Sequence, residues 1–283
     1  MRLKVICFGA ANGGKELFKK ISKKYDVICF TDNDERKWGK QLHGLPILSP
    51  TEAVKENQYD EIIVTSAPGC ISIKTQLLGM GVSEEKIVTH YVEAMLKARI
   101  VFLESLAHIF KEKEMQGACA EVGVFQGDFA KCINKNFPEK KLYLFDTFEG
   151  FLLADIQEEK KKNLSEAEVS DYSNASVQMV LNKMLYPEKC IIKKGYFPET
   201  AIDLEEEFCF VNLDVDLYLP TLNGLKFFLP RMKEGGVILV HDYFAANFRG
   251  PKQAVDEFMK LDESKKLCMC PIGDGISIMI SGF

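Results

Sequence analysis

Ala118-Cys119-Ala120-Glu121-Val122-Gly123-Val124-Phe125-Gln126-Gly127 is the stretch on which the fold turns. Its first five residues are small and mostly apolar, two glycines follow, and helix-prone sequence comes after them. A strand of a parallel sheet is covered on both faces, so it reads as an unbroken apolar run instead of an alternating one. The glycines let backbone approach a ligand closely, and free amides at the start of the next helix favour polar or anionic atoms. Alone this is a weak signal, because many strand-to-helix turns carry glycines only to turn.

Downstream, the pattern repeats. Apolar runs at 141–145, 190–193, 208–213 and 237–240 predict further strands with helical segments between them, and 267–270 with 276–280 form a closing hairpin around Pro271-Ile272-Gly273-Asp274-Gly275. Residues 151–187 hold a helix-prone insertion with the run Glu158-Glu159-Lys160-Lys161-Lys162, which reads as a lid or helix pair with its charges in solvent.

Upstream, 3–8 is a first strand, Gly9-Ala10-Ala11-Asn12-Gly13-Gly14 a turn, 15–21 a helix and 27–30 a second strand. Ser49-Pro50-Thr51-Glu52 announces another helix: Ser49 caps, Pro50 suits the first helical position and Glu52 reaches back to the cap. A strand at 61–66, a helix at 71–80 and a short strand at 86–88 complete a small doubly wound domain ending near residue 90. From 91 to 113 no Gly or Pro intervenes, and Val92, Met95, Leu96, Ile100, Leu103, Ile109 and Phe110 recur at near-helical intervals. The expected organisation is α/β with two doubly wound Rossmann-like domains, 1–90 and 116–283, joined by a helix over 91–115. The helix stripe reads as a core or interdomain face ahead of a dimer seam, which leaves a homo-oligomer open.

The length of 283 residues exceeds the roughly 100–200 of one domain, in keeping with two cores. A net charge of -5 gives no electrostatic reason to expect nucleic acid. Nine cysteines lie scattered, several in apolar runs (Cys7, Cys29, Cys119, Cys209), with no CxxC pair, which reads as free thiols in a reducing, cytoplasmic setting. The N-terminal apolar run is too short for a signal segment, and no stretch approaches 18 uninterrupted apolar residues, so no membrane span is expected.

Chemistry concentrates at the strand ends of the second half. Asp146 closes the run 141–145, where a carboxylate accepts bonds from ribose hydroxyls. Val211-Asn212-Leu213-Asp214-Val215-Asp216-Leu217-Tyr218 ends the fourth strand with two acids, and Gly235-Gly236-Val237-Ile238-Leu239-Val240 runs into His241-Asp242-Tyr243 on the same edge. Any one of these acids alone caps a helix more often than it binds a ligand. Oxygen and imidazole donors gathered from adjacent strand ends match what a divalent cation accepts, with positions left for substrate oxygens.

Five alternating units followed by a hairpin is the order of the class I methyltransferase fold, and the motifs make the likeness specific. Residues 117–283 resemble the macrocin O-methyltransferase family, whose members methylate sugars of macrolide and aminocoumarin antibiotics. The likeness rests on Glu121 to Gly127, Phe145-Asp146-Thr147-Phe148-Glu149-Gly150-Phe151, Lys194-Gly195-Tyr196-Phe197-Pro198-Glu199-Thr200, and Leu213 to Tyr218 with Thr221. It implies an S-adenosylmethionine-dependent O-methyltransferase acting on a sugar hydroxyl in glycan or natural-product biosynthesis, assisted by a divalent metal, Mg2+ by preference. It further implies Asp214, His241 and Asp242 as metal ligands and Asp216 as general base, with His241 the other candidate proton acceptor. Glu121, Gly123, Phe125, Gly127 and Asp146 then surround the methyl donor, and Ser176 in Asn174-Ala175-Ser176-Val177 matches a segment near it.

Two departures bear on this. Antibiotic-modifying members carry Asp-Asp-Tyr where this chain has His241-Asp242-Tyr243, and imidazole shifts metal preference. Around Arg249 to Phe258 the helix matches while its basic position is displaced, so substrate contacts there do not carry over.

The first 90 residues resemble small Rossmann-like domains attached to bacterial glycan-modifying enzymes, through Phe8-Gly9-Ala10, Phe30-Thr31-Asp32-Asn33-Asp34 and Gly44-Leu45-Pro46-Ile47-Leu48-Ser49-Pro50. Either a nucleotide or nucleotide-sugar binds there, with Asp32 or Asp34 near a ribose, or the domain is structural. The rival reading of the whole chain is a non-catalytic glycan-assembly module that binds a nucleotide-sugar; retention of Asp214, Asp216 and Asp242 counts against it. A nicotinamide-dependent reductase lacks an evident hydride site in residues 1–90.

Overall fold

The computed structural model describes residues 2–66 and 69–283; the side chains of Asn12, Glu56, Ile71, Met95 and Leu96 lie outside the description. The chain divides into two compact units, Met1–Lys97 and Ala98–Phe283. Among the described residues no helix is long and apolar enough to cross a membrane, and all nine cysteines are free.

The first unit contains β1 (Lys4–Phe8), α1 (Asn12–Lys24), β2 (Asp26–Thr31), β3 (Gln41–Leu42), β4 (Leu45–Leu48), α2 (Pro50–Glu56), β5 (Glu61–Val64), α3 (Cys70–Gly79) and β6 (Ile87–Val88). They build a sheet in the order β3-β4-β2-β1-β5-β6, parallel but for β3. Val5, Ile6, Cys7 and Phe8 are fully buried, as a central parallel strand requires. The expected capping box forms: Glu52 N–H donates to Ser49 Oγ at 3.2 Å and Ser49 N–H to Glu52 Oε2 at 3.0 Å.

Two features differ from expectation. Helix α1 starts at Asn12 and not at residue 15, because Gly13 and Gly14 belong to its first turn. A Cβ on Gly13 would lie 2.3 Å from the Thr65 carbonyl oxygen, and one on Gly14 2.0 Å from that of Gly9. These glycines seat the helix on its own sheet. The β3–β4 hairpin is also additional; His43 (φ 53°) and Gly44 (φ 78°) supply the two left-handed residues of a tight hairpin turn, with His in a place where Asn or Asp is the usual signal.

Helix α4 (His90–Glu112) contains the division between the units. Val92 packs in the core of the first unit, while Leu103, Leu106 and Phe110 pack in that of the second.

The second unit continues with β7 (Ala118–Val122), α5 (Asp128–Asn136), β8 (Leu142–Asp146), α6 (Leu153–Lys162), α7 (Val177–Lys183), β9 (Cys190–Lys194), β10 (Phe208–Leu213), α8 (Tyr218–Phe228), β11 (Met232–Val240), α9 (Gly250–Phe258), β12 (Cys268–Pro271) and β13 (Ile278–Ser281). The sheet order is β12-β13-β11-β10-β7-β8-β9, with β13 antiparallel to both neighbours and the other pairings parallel. This is the class I methyltransferase arrangement. Chain order reverses between β7 and β10, the switch point outside which ligands of such sheets bind.

The charge run of the insertion is not wholly solvated. Glu159 is 1% exposed: its Oε1 accepts from Tyr218 N–H at 2.6 Å, at the N-terminus of α8, and its Oε2 from Ser165 Oγ at 2.7 Å. Asp155, also buried, accepts from Tyr196 Oη at 2.9 Å. One face of α6 is therefore fastened to the body of the unit, and the expectation of a solvated run holds only for its lysines, of which Lys160 and Lys161 are exposed.

Candidate active site

Backbone pairing extends the sheet by one residue at its carboxyl edge and brings the site together. Gly123 N–H donates to Phe145 O at 2.9 Å, Asp214 N–H to Val122 O at 2.9 Å, and His241 N–H to Leu213 O at 2.9 Å. Register alone thus lines up the glycine turn after β7 with the first acid after β10 and the histidine after β11. Gly123 (φ +84°) has to be glycine here, since a Cβ would lie 2.0 Å from the Asp214 carbonyl oxygen. Asp216 and Asp242 are non-glycine residues at φ 58° and 59°, a backbone state that favours glycine and is found preferentially at functional sites.

Asp214, His241 and Asp242 each offer a ligand atom, and the three atoms lie within 4.8 Å of one another. His241 Nδ1 is 3.0 Å from Asp214 Oδ1 and 2.7 Å from Asp242 Oδ2. Burial works against a charged imidazole, yet the Asp214 and Asp242 carboxylates outweigh it and raise His241 to about 10. Burial likewise pushes Asp214 up, but the charges of His241 and Arg99 together hold it below the usual carboxylate range. Asp216 moves the other way: burial, then the charges of Asp242 and Asp214 and a hydrogen bond with Asp242, raise it well above an ordinary aspartate. Two oxygen donors and an imidazole with open positions form a donor set that fits a divalent cation.

On the neighbouring side, Asp146 Oδ2 accepts from Val124 N–H at 2.7 Å and Phe125 N–H at 2.8 Å, and its Oδ1 from Phe148 N–H at 2.6 Å. The aspartate expected beside a ribose thus also fixes the glycine turn, and its carboxylate keeps one of about four acceptor sites. Gly127 (φ +81°) is the N-cap of α5, and a Cβ on it would lie 3.0 Å from the Val180 side chain. Ser176 caps α7, its Oγ accepting from Met179 N–H at 3.2 Å, while Gln126 Nε2 donates to Asn174 O at 3.1 Å and ties that segment to the turn. Glu121 is 1% exposed, and its Oε2 has no hydrogen-bond partner among the described residues. Burial, reinforced by the charge of Asp214, raises its carboxyl well above the ordinary value. A buried acid with a free oxygen, beside an acceptor for a hydroxyl, fits a cationic nucleoside such as S-adenosylmethionine.

Three residues that the sequence reading did not single out contact these candidate residues. Arg99, 8% exposed, donates from one terminal nitrogen to Asn212 Oδ1 and to Asp214 Oδ2, both at 2.9 Å. Asn212 is fully buried and donates to Glu121 Oε1 at 2.9 Å. Tyr172 of the insertion sits edge-on to Phe125 at 5.2 Å and to Phe151 at 5.3 Å, at φ 60°, and the charge of Asp216 pushes its hydroxyl well above the ordinary range. A signal for Arg99 did exist: it lies seven residues after Val92 and four before Leu103, an arginine on an apolar helix stripe. Nothing local marks Tyr172.

In the first unit the corresponding acids are engaged by the protein. Asp32 Oδ2 accepts from Ala10 N–H at 2.8 Å and Lys37 Nζ at 2.9 Å, and Asp34 pairs with Arg36 at 2.9 Å. Asp32 fastens its turn as Asp146 does.

Comparison with known proteins agrees with this fold. Residues 1–88 match the family model described as C2185-like, N-terminal, and residues 91–268 that described as Macrocin-O-methyltransferase (TylF). A search of the curated proteins finds no match. Among solved structures, the O-methyltransferase NovP is 19% identical, with a TM-score of 0.53 over 65% of this chain and 79% of that one. The calicheamicin methyltransferase CalS11 is 15% identical, with a TM-score of 0.56 over 76% of this chain and 91% of that one. At such identities the two structures speak for the fold, and the family match covers more than half of the chain: the protein belongs to the macrocin O-methyltransferase family and is an S-adenosylmethionine-dependent O-methyltransferase.

Proposed function

We propose that this enzyme methylates a sugar hydroxyl in glycan or natural-product assembly with the help of a divalent cation, Mg2+ by preference, held by Asp214, His241 and Asp242. The observation that carries the reading is the gathering of those three ligand atoms within 4.8 Å, with Asp214 and His241 one residue beyond the sheet, in register with the glycine turn, and Asp242 following His241. The sugar rests on the family resemblance, whose members act on sugars of antibiotics.

When bound, the cation supplies Lewis acidity that lowers the acceptor hydroxyl's pKa and orients it. The chain's own residues do the rest. Glu121 offers its free Oε2 to the positively charged methyl donor, and Asp146 one remaining acceptor site to a ribose hydroxyl. Asp216, two residues after Asp214 at the same strand end, takes the hydroxyl proton. The methyl carbon–sulfur bond breaks as the carbon–oxygen bond forms, so the sulfonium becomes a neutral thioether and the acceptor a methyl ether. Holding both reactants on one rigid sheet edge supplies proximity.

The test is mass spectrometry of a panel of free and nucleotide-linked sugars incubated with enzyme, S-adenosylmethionine and Mg2+. A sugar gaining one methyl group, with the gain abolished by chelator, is the expected result. Transfer that persists in chelator removes the cation from the reading, and transfer only to non-sugar hydroxyls removes the sugar.

A further inference from the structure

A hydrogen-bond chain, buried from Glu121 to Arg99 and half-buried at Asp214 and His241, joins the two halves of the site. Glu121 Oε1 accepts from Asn212 Nδ2 at 2.9 Å, Asn212 Oδ1 accepts from Arg99 at 2.9 Å, the same arginine nitrogen donates to Asp214 Oδ2 at 2.9 Å, and Asp214 Oδ1 lies 3.0 Å from His241 Nδ1. Glu121 and Asn212 are side by side on β7 and β10, paired in register. Arg99 enters from α4, which belongs to neither strand. Its guanidinium lies over the Phe129 ring, 3.8 Å from the centroid, and its Nε has no partner among the described residues. One terminal nitrogen therefore makes both polar contacts. Its two hydrogens point at a fixed angle in the guanidinium plane, and the Phe129 ring packs against the group. With Oδ2 of Asp214 taken by Arg99, Oδ1 is turned toward His241.

We infer that Arg99 is a positioning residue: it sets the orientation of Asp214 on the acceptor side and, through Asn212, of Glu121 on the donor side. The inference rests on the cation site proposed above. A role as mere counter-charge and a role in geometry give opposite expectations for Arg99→Lys, which keeps the charge but has neither the plane nor the stack. Groups that orient a metal ligand are commonly worth about 10- to 100-fold in metal affinity.

Calorimetric titration of the wild type and Arg99→Lys, with Mn2+ alone and with S-adenosylhomocysteine alone, decides the matter. Thermal melting checks that both are folded. The expected result is Mn2+ binding weakened about 10- to 100-fold in Arg99→Lys, with S-adenosylhomocysteine also weakened because Asn212 loses its anchor. Wild-type affinity of Arg99→Lys for both ligands overturns the inference while leaving the cation site standing. If the wild type binds S-adenosylhomocysteine but no Mn2+, the cation reading fails; the nucleoside titration then decides alone, a weaker Arg99→Lys supporting the positioning role and an equal one overturning it. Should Arg99→Lys not fold, Phe129→Leu removes the stack without stripping the hydrogen bonds, and unchanged affinities in that variant overturn the inference.

Discussion

At Gly123 the main chain of one strand end meets that of the next so closely that no side chain fits, and this one contact ties the donor turn to the proposed cation site. Gly123→Ala combines a left-handed backbone at φ +84° with a Cβ 2.0 Å from the Asp214 carbonyl oxygen. We expect a loss of stability of more than about 1–2 kcal/mol from the backbone term alone, read by denaturant unfolding. Donor affinity should fall with it; a variant of unchanged stability and affinity would show that the strand ends part freely. The acids separate by role. Asp214→Asn and Asp242→Asn should weaken Mn2+ binding in calorimetry, whereas Asp216→Asn should bind cation and donor normally and lose about 10²- to 10⁴-fold in kcat. Near-normal turnover of Asp216→Asn would overturn its assignment as the base, and His241, raised to about 10 by its two carboxylate neighbours, is already protonated and does not replace it. Most of this residue set was legible in the sequence, because strand ends and their acids are local. Tyr172 was not: its place beside Phe125 and Asp216 depends on how the insertion folds back, which no nearby residue encodes.

Among the elements, α6 departs furthest from its sequence. Its Glu-Glu-Lys-Lys-Lys run suggests a solvated face, but Glu159 is buried against the first amide of α8 and Asp155 against Tyr196. The helix that carries the insertion is thereby locked to the helix that follows Asp214 and Asp216. Glu159→Ala leaves the Tyr218 amide without its acceptor, for an expected cost of about 1–3 kcal/mol in unfolding free energy. Equal stability would mean another group replaces the carboxylate. Burial raises both carboxyls above their ordinary values, by more than their hydrogen bonds lower them. The folded state therefore holds protons that the unfolded state has released. The sign of the linkage follows: the contribution of each group is greatest below the unfolded carboxyl pKa and declines as pH rises through the raised folded value. Chemical denaturation at a series of pH values should show this decline, and Glu159→Gln, which cannot ionise, should flatten it; a steeper decline in Glu159→Gln would reverse the assignment. In the first unit, the β3–β4 hairpin escaped the sequence reading because His43 takes a left-handed conformation ordinarily signalled by Asn or Asp.

For the whole molecule, the consequential feature is that the two compact units divide within α4, between Lys97 and Ala98. We propose that residues from 91 onward fold and bind the donor without the first unit, since Leu103, Leu106 and Phe110 of α4 belong to the second core. A chain starting at 91 should bind S-adenosylhomocysteine near the full-length affinity, and one starting at 98 should bind Mn2+ more weakly, because Arg99 then lies in a fraying helix end. If the chain from 91 aggregates, the boundary is wrong. The sequence by itself determined the alternation of strands and helices, the two doubly wound series, the glycine turns and the acids at the strand ends. All of these follow from apolar periodicity and from the conformational freedom of single residues, which are properties of short segments. Tertiary structure alone decided what those residues face. Gly13, Gly14 and Gly123 serve backbone-to-backbone packing, Asp32 and Asp146 hold their own turns, Glu159 is interior, and Arg99, more than a hundred positions from Asp214, supplies its partner. Burial and pairing of charges depend on which segments the sheet sets side by side, and strand register is fixed by the assembled core, where a shift of one residue would turn every side chain to the other face.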